Sequence, residues 1–185
     1  LVDTKGQGVE RIDETGIWAN GKHYEIDCLI YATGFEVGTS YVRRSGYELY
    51  GRGGESLTEK WSNGASTLHG VLSRGFPNCF IVSNVQSGFT ANFPHMINEQ
   101  SKHIAYLVTE AQARQARTIE PSEDAEATWV KTIIDLSLMR EAFLKECTPG
   151  YYNNEGNPEV IAKQNGSYGA GPVAFVKVLE DWRAE

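Results

Sequence analysis

Apolar and polar residues alternate along the first part of the chain, which predicts β-strands there rather than helices. Strands are expected at residues 8–12 and 16–18, paired across the polar turn at residues 13–15. A second turn, with Asn20-Gly21 at its centre, predicts another hairpin that leads into a strand at residues 23–26. The beginning of the chain should therefore form a small antiparallel sheet.

Residues 27–35 break this alternation with the sequence Asp-Cys-Leu-Ile-Tyr-Ala-Thr-Gly-Phe. A short apolar run of this kind is typical of a strand that is buried on both faces of a sheet. The small residues at its end, Thr33 and Gly34 among them, would let another group approach the backbone closely. An ordinary core strand followed by a turn would have the same pattern.

A strand, a loop and a helix are predicted in the middle of the chain. Residues 75–78 (Gly-Phe-Pro-Asn) have turn chemistry, and residues 79–82 predict a short strand. After a polar, glycine-containing loop, a helix is expected from Asn92, with Thr90 or Asn92 as its cap and Pro94 in its first turn. The positive end of such a helix suits an anion or an electron-rich ring edge.

Three amphipathic stretches predict helices whose apolar faces pack in the core. They are residues 92–117, residues 122–147 and the stretch from Pro172 onward, and Ser122 is the expected cap of the second. The apolar stripe of the second helix continues through Trp129, Ile133, Leu136, Met139, Arg140 and Phe143. Residues 147–156, between the second and third helices, are aromatic and amide-rich and predict an irregular loop.

Composition excludes several classes of partner. The chain has 185 residues, a formal net charge of −7 and no basic cluster, which argues against nucleic acid and anionic membrane surfaces. No apolar run approaches the length of a membrane span and no signal peptide is visible, so we expect no membrane association and a cytoplasmic location. The acidic run Glu123, Asp124 and Glu126 is expected to be a solvated helix start.

The titratable residues give no sign of a metal site or of acid–base catalysis. The three cysteines, Cys28, Cys79 and Cys147, have no metal-ligand spacing. Cys28 and Cys79 lie in predicted strands, where reduced thiols act as small hydrophobic groups. The four histidines show no ligand spacing with cysteines or carboxylates either. The sequence therefore predicts no metal and no catalytic side chain.

Taken in order, residues 27–35, 75–94 and 147–156 resemble the C-terminal part of the Baeyer–Villiger monooxygenases, class B flavin monooxygenases that use FAD and NADPH. Residues 57–61 (Leu-Thr-Glu-Lys-Trp) and the pair Glu99-Gln100 match the same family. The resemblance implies an α/β fold class. In particular, it implies a partial FAD/NAD(P)-binding Rossmann-like fold with β-hairpin strands at the N-terminal end and C-terminal helices.

The resemblance also implies three domains or parts of domains. Residues 1–35 would be the end of the NADPH-binding domain and the crossing strand. Residues 36–117 would be the C-terminal part of the FAD-binding domain, and residues 118–185 a C-terminal helical extension.

A reaction follows from the same resemblance. Such an enzyme inserts an oxygen atom next to a ketone carbonyl, by way of a flavin peroxide, and gives an ester or a lactone. Its partners are a small-molecule ketone and oxygen. The flavin carries the chemistry, and the protein supplies orientation, electrostatics and exclusion of water.

The resemblance implies a ketone pocket lined by Phe89, Thr90 and Phe93, since apolar walls suit a substrate with one polar atom. A hydrophobic staple at the helix start is the alternative interpretation of these residues. By the same match, Asn92 and Pro94 would lie under the flavin ring. Their alternative interpretation is simple capping of the helix.

The remaining contacts implied by the resemblance lie in two other segments. Thr33 and Gly34 would lie near the FAD or the crossing between domains, where the alternative is a tight turn only. Tyr151 and Asn153 would belong to a loop that folds over NADPH. Many relatives have a tryptophan in that loop, whereas this chain has Pro149-Gly150-Tyr151, so a tryptophan contact with the cofactor is not expected.

One feature of the family is missing from the chain. The fingerprint Gly-x-Gly-x-x-Gly, which FAD and NADPH each normally require, does not follow any predicted strand. We therefore expect this segment to be inactive on its own. Two alternatives stay open: a flavin monooxygenase that oxygenates nitrogen or sulfur, and a non-catalytic fragment that forms a homodimer to cover its free sheet edges.

Overall fold

The alternating N-terminal stretch forms a three-stranded antiparallel sheet of order β1-β2-β3 in the computed structural model, which describes residues 1–32, 34–36, 38–137, 144–157 and 161–185. The strands are β1 (Arg11–Ile12), β2 (Gly16–Ala19) and β3 (Lys22–Glu25). Arg11 lies opposite Trp18 in the register of β1 and β2. Both hairpins predicted from the sequence are confirmed.

Asp13 holds the first hairpin turn together. Its Oδ1 atom accepts hydrogen bonds from the backbone N–H groups of Thr15 and Gly16 at 3.1 and 3.0 Å, and its Oδ2 atom accepts one from the Trp18 indole at 2.7 Å. These bonds, that of Trp18 first, lower the pKa of the Asp13 carboxyl well below its usual range. The turn is therefore specified by one side chain and its neighbours.

The predicted buried strand at residues 27–35 is wrong. Its described residues form no strand, and Ile30, Tyr31 and Phe35 are 81, 71 and 91% exposed. Cys28 is exposed as well. A strand buried on both faces needs partner strands and covering helices, and no strand pairs with this segment in the described part of the chain. Thr33 lies outside the described residues.

The short strand predicted at residues 79–82 is also not formed. Two backbone N–H groups of this segment donate hydrogen bonds, Cys79 to the carbonyl of Phe76 at 3.3 Å and Ile81 to the carbonyl of Val71 at 2.8 Å, and Val82 is 50% exposed. The structure is therefore mixed helix and small antiparallel sheet.

Helices make up most of the regular structure that follows. They are α1 (Tyr41–Ser45), α2 (Leu57–Lys60), α3 (Phe93–Ala113), α4 (Glu123–Asp135) and α5 (Pro172–Ala184). Three short 3₁₀ helices lie at Arg52–Gly54, Tyr151–Asn153 and Lys163–Asn165. The predicted helix positions Met139, Arg140 and Phe143 lie outside the described residues.

The helix starts follow from their sequences. The Ser122 hydroxyl accepts a hydrogen bond from the N–H of Ala125, as predicted for a cap. Ser56 and Glu59 form a capping box at the start of α2. This box places Trp61 so that its indole donates to the carbonyl of Ser66 at 3.1 Å, which supports a packing role for the Leu57–Trp61 motif.

The core joins the three long helices. Its fully or nearly buried members are Met96 of α3, Trp129 and Ile133 of α4, and Phe175 and Leu179 of α5. Burying side chains of this kind stabilises a fold by roughly 1.5–3 kcal/mol each. The predicted apolar stripes are therefore confirmed as core packing.

Glu126 departs from the prediction of a solvated acidic run, since it is only 6% exposed. Its Oε1 atom accepts the backbone N–H of Arg74 at 2.7 Å, and its Oε2 atom accepts the Lys60 ammonium at 3.0 Å. Glu126 thus ties α4 to α2 and to the turn before Phe76. Its helical spacing alone gave no sign of this burial, because the partners are distant in the sequence.

Glu126→Ala should lower the free energy of unfolding by about 3 kcal/mol, since removing one partner of a buried ion pair leaves the other charge uncompensated. Glu123→Ala is the matched control on the same helix. The Glu123 side chain is 81% exposed and 3.7 Å from Arg74, so its loss should cost less than about 0.5 kcal/mol. Urea unfolding measures the free energy of unfolding of both variants. Equal losses in the two would contradict a buried role for Glu126.

Candidate functional site

The predicted pocket residues lie at the exposed tip of the segment that leads into α3. We call residues 83–92 the site loop. Phe89 and Phe93 are 53 and 43% exposed, and Thr90 lies between them in the chain. Both aromatic rings therefore remain about half exposed and present apolar surface to solvent.

The start of α3 lies beside Phe93 and carries the positive end of the helix dipole. Asn92 is the N-cap residue of this 21-residue helix, but its side chain makes no capping hydrogen bond. The Thr90 hydroxyl instead accepts from the N–H of Asn92 at 3.3 Å, just outside the helix. Pro94, in the first turn, brings no N–H of its own. The exposed positive end of α3 fits an anion or an electron-rich ring edge.

A buried base supports the exposed tip. Gln86, Ser87 and Gly88 precede Phe89 and are all buried. A Cβ atom at Gly88 would lie 2.5 Å from Met96 and 2.8 Å from Phe175, so the loop here lies directly on the core. The base is therefore held by core packing while the tip remains accessible.

Sequence reasoning missed the supporting residues of the site loop. Gln100 on α3 donates from its Nε2 atom to the carbonyl of Ser83 at 2.6 Å, and the hydroxyl of Ser87 donates to the same carbonyl at 2.5 Å. A polar loop carries no periodic signal that separates buried from exposed residues. The match of Glu99-Gln100 to a family motif was the available clue.

The chain at Gly38, four residues after Gly34, lies next to the predicted NADPH loop. Gly34 is exposed and has φ +70°, a conformation that suits glycine at a tight turn. A Cβ atom at Gly38 would lie 2.9 Å from the carbonyl oxygen of Tyr151. The structure thus brings the chain after Gly34 against the loop that contains Tyr151.

Asn153 organises the predicted NADPH loop from inside. It is 1% exposed, and its Oδ1 atom accepts the N–H groups of Gly150 and Gly156 at 2.9 and 3.2 Å. Its Nδ2 atom donates to the carbonyls of Leu144, Cys147 and Thr148. Because both ends of the amide are engaged, Tyr151, at 40% exposed, is the member of the predicted pair that a cofactor can reach.

Two buried histidines form a cluster outside the predicted site. The Nδ1 atom of His69 lies 3.4 Å from Nε2 of His103, and the rings of Trp129 and Trp182 pack edge-on against His69. Burial, with the neighbouring His103 second, lowers the pKa of His69 to about 3. Burial, with the Arg183 charge second, lowers the pKa of His103 to about 4. Both are therefore neutral at pH 7.

No metal site is found in the part of the chain that the structure describes, since no three His, Cys, Asp or Glu side chains converge there. None of the described helices is both long and apolar enough to cross a membrane. Two clefts of about 340 and 320 Å³ lie away from the site loop, one beside Trp61 and one beside Phe76. Neither cleft is lined by residues of the site loop.

The fold is similar to that of solved monooxygenases. The structure of a polycyclic ketone monooxygenase from Thermothelomyces thermophila superposes with a TM-score of 0.85 at 34% identity, over all of this chain and 30% of that one. A steroid monooxygenase bound to NADP superposes with a TM-score of 0.76 at 27% identity, over all of this chain and 33% of that one.

Relatives in sequence point to the same class. The chain is 49% identical to neopentalenolactone D synthase of Streptomyces avermitilis over 185 residues, which is 99% of this chain and 31% of the relative. It is 41% identical to a Baeyer–Villiger monooxygenase of Streptomyces coelicolor, over 100% of this chain and 30% of the relative. No family model matches the chain.

The chain is therefore homologous to a portion of the Baeyer–Villiger monooxygenases, and the predicted resemblance is confirmed. It spans about three tenths of the length of the curated relatives it matches.

Proposed function

We propose that this chain is part of an FAD- and NADPH-dependent monooxygenase that inserts an oxygen atom next to a ketone carbonyl and forms an ester or a lactone. One observation carries the proposal. An exposed apolar tip, with Phe89 and Phe93 about half exposed, stands at the uncapped start of α3 in a chain that aligns along its whole length with such enzymes.

The residues present fit a flavin ring at the start of α3. The Asn92 side chain leaves the helix start open, and the positive end of the helix favours the electron-rich pyrimidine edge of the ring. Asn92 and Pro94 would lie under that edge, and Thr33 and Gly34 near the FAD or the crossing between domains. When bound, FAD accepts a hydride from NADPH and activates oxygen.

The site loop supplies the wall against which a ketone would lie. Phe89, Thr90 and Phe93 offer apolar contact and exclude water, while the substrate carbonyl remains free to be oriented. Tyr151, exposed on a loop that is held by the hydrogen bonds of Asn153, would contact NADPH. The NADP-bound steroid monooxygenase and an FAD-binding monooxygenase of Hypomyces subiculosus, 38% identical, support both cofactors.

The same proposal extends to the fold of the complete protein. The exposed apolar residues 29–31 and Phe35 would complete a Rossmann-like sheet when the rest of the enzyme supplies partner strands. Residues 1–35, 36–117 and 118–185 would then divide as the end of the NADPH-binding domain, the C-terminal part of the FAD-binding domain and a helical extension. Without those strands the isolated chain should be inactive and should dimerise through this surface.

A polycyclic ketone is the substrate class we favour, because the polycyclic ketone monooxygenase is the structural match with a TM-score of 0.85. Phe89 and Phe93, both about half exposed, would offer aromatic contact to a rigid multi-ring molecule. Each Å² of apolar surface that such a ligand buries on binding would contribute about 25 cal/mol to the binding free energy.

The test uses the complete protein that carries this chain, purified and desalted after incubation with FAD. We expect a retained flavin spectrum and NADPH oxidation that is stimulated by polycyclic ketones more than by cyclohexanone, with ester or lactone products. Products oxygenated on an added amine or sulfide, without ketone turnover, would favour the nitrogen- or sulfur-oxygenating alternative. Absence of bound flavin, together with self-association in analytical ultracentrifugation, would favour a non-catalytic fragment.

A further inference from the structure

Gln86 is a fully buried amide whose hydrogen-bonding capacity is completely used. Its Oε1 atom accepts from the N–H and the hydroxyl of Thr67 at 3.1 and 2.6 Å. Its Nε2 atom donates to the carbonyls of Ala65 and Gln164 at 2.6 and 2.9 Å. An amide offers two donors and an acceptor oxygen with two lone pairs, so no group is left unpaired.

The backbone of Gln86 is held as firmly as its side chain. Its N–H donates to the carbonyl of Gly166 at 2.8 Å, and its carbonyl accepts the indole N–H of Trp129 at 3.0 Å. The residue has φ +55°, a left-handed conformation that costs a non-glycine residue energy. This conformation persists because the surrounding contacts determine it.

Gln86 therefore connects one point of the site loop to three other parts of the chain, all distant in sequence. These are the turn at residues 65–67, the segment at residues 164–166, and α4 through Trp129. Phe89 follows only three residues later and is exposed. The direction in which the tip of the loop leaves the core is set at Gln86.

We propose that Gln86 is a positioning residue for the ketone and flavin site: it acts through the site loop and fixes where Phe89 and the start of α3 stand. This inference rests on the proposed function, which it deepens by naming the residue that orients the wall. Misplacement by about 1 Å can reduce an enzyme's rate by about a hundredfold, because reacting groups must meet in a narrow range of geometries.

Two variants of the complete protein test the proposal. Gln86→Met keeps the length of the side chain and removes its hydrogen bonds. Trp129→Phe removes the donor to the backbone of Gln86, together with part of the ring system that packs against Tyr168 and Phe175, and keeps an aromatic ring in the core. Gln115→Met is the matched control, since Gln115 is exposed and has a similar φ of +54°. Circular dichroism first identifies the temperature range in which each variant is folded.

Two readouts follow in that range. Amide hydrogen exchange should increase at least tenfold in peptides that cover residues 83–94 of both variants, and remain near wild type over residues 107–113 of α3, whose Leu107 packs in a separate core cluster. The rate kcat for a ketone should fall tenfold or more with the KM for NADPH unchanged, and less ester should form per NADPH consumed. Gln115→Met should match wild type in all of these.

Each outcome decides the proposal. Unchanged exchange at residues 83–94, or changed exchange with wild-type kcat and product yield, would overturn it and leave Gln86 a structural residue only. If Gln86→Met does not fold, Trp129→Phe decides by the same readouts. A wild-type protein without flavin or NADPH turnover would refute the proposed function separately, because hydrogen exchange still shows whether Gln86 holds the loop.

Discussion

Lowering the pH from 7 to 5 should reduce the free energy of unfolding of this protein by about 4 kcal/mol, roughly half from each of His69 and His103. Both imidazoles are buried, 5 and 2% exposed, in a cluster with Trp129 and Trp182. Desolvation disfavours their charged forms, so unfolding lets them take up protons.

The direction follows from the two pKa values. Each histidine has a pKa near 6.5 when unfolded and about 3 (His69) or 4 (His103) when folded. The stability they contribute is complete above pH 6.5 and is lost as the pH falls, at about 1.4 kcal/mol per pH unit per group. Loss continues to about pH 4 for His103 and to about pH 3 for His69. Carboxylates with lowered pKa values, such as Glu99, add to the loss only below about pH 4.5.

Urea unfolding at half-unit steps between pH 7 and pH 5 measures this slope. His103→Gln should reduce the slope by about half, and His95→Gln, at an exposed position on the same helix, is the matched control. The nearby Arg183 charge adds to burial in disfavouring a protonated His103. A folded His103→Gln variant with the full wild-type slope would contradict a buried neutral His103.

Gly70→Ala should lower the free energy of unfolding by about 3 kcal/mol, because the methyl group adds overpacking to backbone strain. The same change should loosen the site loop. Gly70 has φ +71°, and a Cβ atom there would lie 2.7 Å from the carbonyl oxygen of Val85 and 2.8 Å from Cβ of Ser87. Neither neighbour is the flexible end of a long side chain. The loop can accept the methyl group only by moving away from the turn that carries His69.

Gly53→Ala provides the control for this variant. Gly53 has the same φ of +71°, but a Cβ atom there meets nothing within 4 Å. Gly53→Ala should lower the free energy of unfolding by only about 1 kcal/mol, because of backbone strain alone. Unfolding by urea, with hydrogen exchange of residues 83–94, compares the two variants. Equal losses of stability would show that contact with the site loop contributes nothing at Gly70.

Local chemistry made the hairpins and helix starts predictable. Asn20-Gly21 specifies its turn because the two residues accept positive φ, here 53° and 69°. Ser122 specifies its helix start because its hydroxyl reaches the first turn. In each case the determining contacts lie within a few residues.

Contacts between distant residues account for what the sequence did not predict. Gln86 and Glu126 are polar residues whose burial depends on partners such as Gln164 and Lys60, far away in the chain. The prediction of a buried strand at residues 27–35 was wrong for the opposite reason. Their apolar composition predicts burial, but burial requires neighbouring strands, and among the described residues none pairs with them.

Oxygen labelling tests the central proposal most directly. The complete protein, loaded with FAD, is given NADPH, a polycyclic ketone and ¹⁸O₂, and the product is analysed by mass spectrometry. The account predicts an ester or lactone that carries one ¹⁸O atom, with the yield falling when Phe89 or Phe93 is changed to aspartate. A product without label, or no ester from a folded, flavin-loaded protein, would contradict it.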